Sequence, residues 1–238
     1  MNVVVDYGNS AAKVAIFDQH RLTAKHLFGE PEALKNFLEI TPTENFIISS
    51  VATDAAAVAQ SARAKRKFIL SHTLPLPVKI LYTTPQTLGV DRIAGSCGAI
   101  QLFPAQNTLV IDAGTCITYD FTDSSKQYYG GSISPGLKMR FQAVHTFTAR
   151  LPLVNPAENP ELIGNSTETS IQSGIVNGTV AEIDGIIDRY KHKYPDLQVI
   201  LCGGDAPFFE NKLKASIFAS PDLVLIGLNT ILIHNVRL

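Results

Sequence analysis

The sequence predicts an α/β protein made of two copies of one domain, and three observations lead there. Two segments match, Val3-Val4-Val5-Asp6-Tyr7-Gly8-Asn9-Ser10 and Leu109-Val110-Ile111-Asp112-Ala113-Gly114-Thr115-Cys116, each an apolar run followed by Asp, any residue and Gly. Their aspartates stand 106 positions apart in a chain of 238, so the repeat is a domain and not a short solenoid unit. The same order of elements follows each copy: three strands, helix, strand, helix, strand, helix. The expected domains are residues 1–106 and 107–238, each a mixed sheet covered by helices, with a cleft between them.

In the first half the strand ending at Asp6 is followed by strand-like runs at 13–17 and 22–28. A helix opens at Pro31, where proline suits the first turn, with Leu34, Phe37 and Leu38 on one face. A strand at 46–50, an alanine-rich helix opening near Asp54, a strand at 78–82 and a helix from about Asp91 to Phe103 complete it. The basic run Arg63-Ala64-Lys65-Arg66-Lys67 reads as the solvated last turn of the alanine-rich helix. The second half places strands at 109–111, 117–121 and 128–133 and a helix after Gly136. A long helix follows, with Val176, Val180, Ile183, Ile187 and Tyr190 at steps of four and three until Pro195. A strand at 199–202, a helix after Pro207, a strand at 223–225 and a helix at 228–236 close the chain.

Composition narrows the function. Hydrophobic residues at 45% and charged residues at 17% supply well-buried sheets, and a net charge of −1 offers no field for nucleic acid or an anionic membrane. Three cysteines without a C-x-x-C pair form neither a disulfide framework nor a zinc site, which favours a reducing cytoplasm. No leader or run of roughly 18 apolar residues points to export or membrane insertion.

A strand that delivers Asp, then Gly and a hydroxyl or amide residue, makes a tight turn whose backbone N–H groups can approach an anion. Asp6 and Asp112 at two such strand ends can hold a divalent metal or its waters. Asn9, Ser10 and Thr115 offer donors to phosphate oxygens, and Lys13 adds a point charge. A third glycine element, Cys202-Gly203-Gly204-Asp205 after a buried strand, offers backbone to an adenine or ribose. Together these suggest an ATP site.

The order of elements is similar to a duplicated RNase H-like fold, and the two turns with the third loop resemble the acetate and sugar kinase, heat-shock chaperone and actin superfamily. More specific strings resemble the type III pantothenate kinases. They are Asp6 to Lys13 (D-x-G-N-[ST]-x-x-K), Pro85-Gln86-Thr87-Leu88-Gly89-Val90-Asp91-Arg92-Ile93-Ala94, Gly130 to Leu137, and Gly164-Asn165-Ser166-Thr167 with Ile171 to Gly174. Ser10 stands where Thr is commoner, and Cys116 and Ser170 where Ala is frequent.

The resemblance implies MgATP-dependent phosphorylation of pantothenate to 4'-phosphopantothenate, the first step of coenzyme A biosynthesis, with Asp91 as general base. It places Tyr82, Gly89, Val90, Asp91, Arg92 and Thr167 around pantothenate. Asp6, Tyr7, Gly8, Asn9, Ser10, Ala11, Ala12, Lys13 and Thr115 are placed around ATP, and Asp112 at a potassium or ammonium ion. It also implies a homodimer whose interface contributes to the substrate site. The residues themselves agree on Asp91, which opens a helix after a glycine beside an arginine able to pair a carboxylate.

Arg140, Phe141, His145, Phe147 and Arg150 on the helix after Gly136 read as a packing face, a dimer contact or a substrate gate. His145 and His192 lack an orienting carboxylate in sequence, and His192, between two lysines, reads as solvated. Two other functions stay open. One is a phosphotransferase or phosphatase of this fold acting on a sugar or acetate; the other is a nucleotide-binding regulator without transfer chemistry.

Overall fold

The computed structural model describes residues 1–8, 11–50 and 54–238, which fall into two compact units. The first comprises Met1–Ala105, Thr122–Tyr129 and Asp222–Leu238, the second Gln106–Phe121 and Gly130–Pro221. Each carries helices on a β-sheet, the mixed α/β architecture that the repeated pattern predicts.

In the first unit β1 (Asn2–Tyr7), β2 (Ala12–Asp18), β3 (Arg21–Phe28), β4 (Thr43–Ser50) and β5 (Ala64–Ile69) form a sheet in the order β3-β2-β1-β4-β5. β1 to β3 are an antiparallel meander, and β1, β4 and β5 are parallel, so central β1 and β4 read as continuous apolar runs. α1 (Pro31–Ile40) and α2 (Ala55–Ser61) cover one face through Leu34, Leu38 and Val58, with Asp54 capping α2 through the Ala56 amide at 2.9 Å. α3 (Val90–Leu102) and α7 (Leu223–Arg237) pack with the other face around Val4, Ile47, Ile93 and Leu228.

α3 and α7 cross where each has a glycine. A Cβ on Gly98 would strike the Leu223 carbonyl and lie 3.2 Å from the Gly227 nitrogen; one on Gly227 would strike the Ala94 carbonyl and lie 2.9 Å from the Gly98 nitrogen. A buried amide chain ties α7 to the sheet: Asn45 Nδ2 donates to Asn2 Oδ1, Asn2 Nδ2 to Asn229 Oδ1, both at 2.8 Å, and Asn229 Nδ2 to the Gln19 carbonyl at 2.7 Å. With each donor paired, these amides specify register at little desolvation cost.

In the second unit β7 (Thr108–Ala113), β8 (Cys116–Thr122), β9 (Gln127–Pro135), β10 (Gln198–Cys202) and β11 (Phe218–Ala219) are ordered β11-β10-β7-β8-β9. α4 (Leu137–Thr146), α5 (Thr167–Lys193) and α6 (Ala206–Glu210) accompany them, and Ile111, Tyr119, Phe141, Ile183, Ile187 and Phe209 lie in the core. α5 opens with a capping box in which Ser166 and Thr169 exchange hydrogen bonds and ends just before Pro195, as the sequence predicts.

Three expectations fail. The basic run is not a helix end but strand β5, on the sheet edge, where exposed Lys65, Arg66 and Lys67 discourage further pairing and Lys65 reaches Glu44 at 2.8 Å. The strand at 78–82 shrinks to β6 (Lys79–Ile80), which joins not the first sheet but the start of β9, with Lys79 opposite Gln127. The apolar run 223–225 belongs to α7, because a short apolar run cannot be told from a buried helix by period alone, and the last strand is β11.

Candidate active site

Asp6 is the penultimate residue of β1, where parallel pairing sets it beside Ser49 of β4 and antiparallel pairing beside Lys13 of β2. Ser49 Oγ donates to Asp6 Oδ1 at 3.0 Å. Burial pushes the Asp6 carboxyl above its ordinary value; the Ser49 hydroxyl and Lys13 oppose the rise, and the charge of Asp91 adds to it. Asp6, Lys13, Ser49 and Asp91 therefore share one electrostatic neighbourhood. The turn itself closes through the Gly8 amide donating to the Ala11 carbonyl at 3.1 Å, whereas Asn9 and Ser10 lie outside the described residues. Tyr7 is the last residue of β1 and Ala12 the first of β2, and a Cβ at Gly8 would find ordinary room 3.6 Å from the Ala11 carbonyl.

The raised Asp6 has a measurable consequence. A carboxyl favoured in its neutral form by the fold contributes stability below its unfolded pKa of about 3.9 and loses it as pH rises through the folded value, so the ionised group weighs against folding at pH 7. Asp6→Asn is expected to raise the thermal midpoint of the nucleotide-free protein at pH 7, with the gap closing toward pH 4. A midpoint that falls at pH 7 would show that Ser49 and Lys13 outweigh burial.

The Leu88-Gly89-Val90-Asp91-Arg92 string forms the start of α3. Leu88 is buried and follows a 3-10 turn at Pro85–Thr87, Gly89 is the N-cap, and Asp91 lies in the first turn with its Oδ1 accepting from the Arg92 amide at 2.9 Å. A Cβ at Gly89 would collide with Asp91 Oδ1, so the glycine leaves that carboxylate its place. The Arg92 guanidinium stands 6.0 Å from the centre of the Tyr82 ring, and Tyr82 lies near Tyr128. Tyr82, Asp91 and Arg92, chosen by sequence, are thus on one side of the first unit. His72, which sequence did not single out, holds its Nε2 2.8 Å from the Leu88 carbonyl and ties the preceding loop to this string.

In the second unit Asp112 is the penultimate residue of β7, and the turn to β8 closes through the Gly114 amide donating to the Cys116 carbonyl at 2.9 Å. Pairing of β10 with β7 sets Cys202 beside Asp112, which brings the third glycine loop onto this turn. Gly203 has φ 96°, and a Cβ there would strike the Ala113 carbonyl and lie 2.5 Å from Asp112 Oδ1. Glycine is required there. The Asp205 amide donates to the Ala113 carbonyl at 2.8 Å. On the other side the Gly136 amide donates to the Thr115 carbonyl at 3.1 Å, and a side chain at 136 would enter Gly114 and Thr115.

Gly136 is held in turn by a network that sequence missed. Arg140 Nη2 pairs with Glu182 Oε2 at 2.7 Å, Arg140 Nε donates to the Pro135 carbonyl at 2.8 Å, and Ser134 Oγ donates to Glu182 Oε1 at 2.6 Å. Burial alone would raise the Glu182 carboxyl, but the Ser134 and Arg140 hydrogen bonds outweigh it and hold the group below its ordinary value. No local motif marks Glu182, whose partners Arg140, Ser134 and Tyr119 are 42, 48 and 63 residues away. Of the other residues on that helix, Phe141 is buried and His145 sits 2.8 Å from the Leu151 carbonyl. Thr167 is exposed in the first turn of α5.

The donor chemistry suits some groups and not others. Among the described residues no cluster of three His, Cys, Asp or Glu could hold a metal, so a charge-rich divalent cage is absent there. A single carboxylate such as Asp6 suits Mg²⁺ shared with phosphates, and Asp112 among backbone carbonyls suits a monovalent cation. The glycine cradle at 203 and 136 suits close backbone approach of a nucleotide.

Solved structures share this architecture. A Campylobacter jejuni protein described as a Baf family transcriptional activator superposes with TM-score 0.65 at 21% identity, covering 99% of this chain and 100% of its own. A glucokinase from an Antarctic psychrotroph does so with TM-score 0.56 at 11% identity, covering 98% of each. These likenesses establish the fold class, that of the actin-like ATPases and sugar kinases with duplicated RNase H-like domains. Within that class, the profile for type III pantothenate kinase matches residues 2–189. The type III pantothenate kinase of Christiangramia forsetii is 44% identical over 99% of both chains. The chain belongs to the type III pantothenate kinase family, and is a kinase.

Proposed function

We propose that the protein phosphorylates pantothenate with ATP to give 4'-phosphopantothenate, the first step of coenzyme A biosynthesis, with Asp91 as general base. The observation that carries this is that the Asp91 charge acts on Asp6, itself beside Lys13 and Ser49, while Arg92 and Tyr82 stand next to Asp91 in the first unit. Pantothenate is a carboxylate bearing a primary alcohol and needs one group to hold its charge and one to accept its hydroxyl proton. Arg92 supplies the first by a charge-assisted hydrogen bond and the Asp91 carboxylate the second. Tyr82 and Val90 flank them, and Gly89 keeps the approach to Asp91 open.

MgATP, when bound, supplies the transferable phosphoryl group. Lys13 offers it a point charge, Asp6 a magnesium ligand, and residues 7–12 and Thr115 their backbone or side-chain donors, with potassium or ammonium at Asp112. Residues 1–106 and 107–238 are read as the two copies of one ancestral domain. A coupled assay across pantothenate, hexoses and acetate, with and without potassium, tests the whole reading. Pantothenate alone is expected to turn over, faster with potassium, and phosphorylation of a sugar instead would refute it.

A homodimer belongs to the same proposal. Ile133, Met139, Phe147, Leu153, Leu162 and Ile163 of the second unit are exposed, Phe147 at 85%, and a cavity of about 450 Å³ opens between Thr115, Met139 and Phe147. So much exposed apolar surface fits coverage by a second copy, which would also cover exposed Thr167 beside Leu162 and Ile163. Sedimentation at twice 25.8 kDa is the expected result, and a monomer would remove this part of the proposal. A cytoplasmic location is proposed on three cysteines that form no disulfide. Among the described residues no helix is long and apolar enough to cross a membrane.

A further inference from the structure

The first unit has a concavity of about 280 Å³ between the C-terminal ends of α3 and α7. Its rim carries four basic side chains from three separate places: His20 from the β2–β3 turn, Lys126 from the β8–β9 turn, and His234 and Arg237 from the last turns of α7. Its lining also includes Ile100, Ile233 and Leu238, and no acidic side chain lines it. Among the described residues none of the four basic side chains has an ion pair, hydrogen bond or ring contact. His234 and Arg237 are the charges that a helix C-terminus attracts, but His20 and Lys126 have no such reason to gather there.

The walls are fixed by hydrogen bonds. The Gln19 carbonyl, next to His20, accepts from Asn229 of α7 at 2.7 Å, and Asn235 of α7 donates to the Pro75 carbonyl at 2.9 Å, two residues before Pro77 on the rim. Lys126 is held from both sides, its carbonyl by the Lys79 amide and its amide by the Asp123 carbonyl, each at 2.9 Å. The Asp123 carboxylate accepts from the Ser125 and Gln127 amides and the Tyr129 hydroxyl and makes no ion pair with Lys126. The Lys126 ammonium and Arg237 guanidinium, with the His20 and His234 imidazoles as further N–H donors, form a prepared anion site beside apolar Ile100 and Ile233. Its size is at the small end of ligand pockets. It is not the phosphate turn of the same unit: along α3, Ile100 lies about 14 Å from Asp91 at ~1.5 Å per residue.

We propose that this cavity binds a small multivalent oxyanion, the charged part of a phosphate- or carboxylate-bearing metabolite, independently of the proposed active site. The test titrates the ¹⁵N-labelled full chain with inorganic pyrophosphate in one arm and tricarballylate in the other, following amide shifts. Saturable movement of the amides of His20, Lys126 and His234–Arg237 is expected in at least one arm, and the arm that responds distinguishes phosphate from carboxylate. In K126Q/R237Q, whose substituted side chains are exposed, that affinity should fall at least about tenfold. Movement at Gly8 and Gly114, reporting the phosphate turns, should be unchanged. Absence of saturable shifts at this rim in both arms, or shifts that survive K126Q/R237Q with undiminished affinity, would overturn the proposal.

Discussion

Asp91→Asn is expected to lower kcat at least about a hundredfold while ATP binding stays close to that of the parent protein. The substitution is nearly isosteric, and the amide oxygen of Asn can take over the Arg92 amide bond made now by Oδ1 at 2.9 Å, so the start of α3 should keep its form. What is lost is the second carboxylate oxygen as a proton acceptor. A second effect follows from the neighbourhood of Asp6: with the Asp91 charge gone, one of the causes that raise the Asp6 carboxyl disappears, which favours its ionised form. Metal and nucleotide binding should therefore not suffer. Rapid-quench measurement of the chemical step beside equilibrium ATP titration separates the two, and an unchanged chemical step would remove Asp91 from the role of base.

Gly227→Val is expected to cost about 3 kcal/mol or more and lower the thermal midpoint by roughly 6–12 °C, measured by calorimetry. The two glycines allow the backbones of α3 and α7 to touch, and even the first carbon of a side chain at 227 would enter the Ala94 carbonyl. The obstacle is backbone and cannot rotate away. Relief requires α7 to lift from α3, which would loosen Ile93, Cys97, Leu228 and Ile231 together. A loss below about 1 kcal/mol would mean that the helices separate freely. Because α3 begins at the Gly89–Arg92 string, the same variant should also weaken catalysis more than a distant substitution of equal cost.

The parts of the fold legible in the sequence were those written in local chemistry. Pro31 and Asp54 announce helix starts, Pro195 a helix end, and the steps from Val176 to Tyr190 the buried stripe of α5. The matching segments at Asp6 and Asp112 both prove to be strand ends with hydrogen-bonded turns. What escaped depends on partners far along the chain. β5 is a strand because β4 offers it an edge, despite its charges, and β6 because the start of β9 does. Leu223 to Leu225 is helical because α3 and the first sheet bury it on several sides. In the site, Tyr82, Asp91 and Arg92 were reached through one contiguous string and its neighbour. Ser49, His72 and Glu182 were not, since each acts through a bond to a residue 16 to 48 positions away.

The placement of α7 also bears on the order in which the molecule can be completed during synthesis. Translation delivers the strands of the first sheet early, yet the helix that covers one face of β1 and β4 and joins the Asn45–Asn2–Asn229 chain follows the second unit in the sequence. A nascent chain of two hundred residues holds Val4, Ile47 and Ile93 without their cover, a surface suited to a chaperone or to aggregation. Maturation of the half that carries Asp6 and Asp91 is thereby delayed until α7 has followed the second unit.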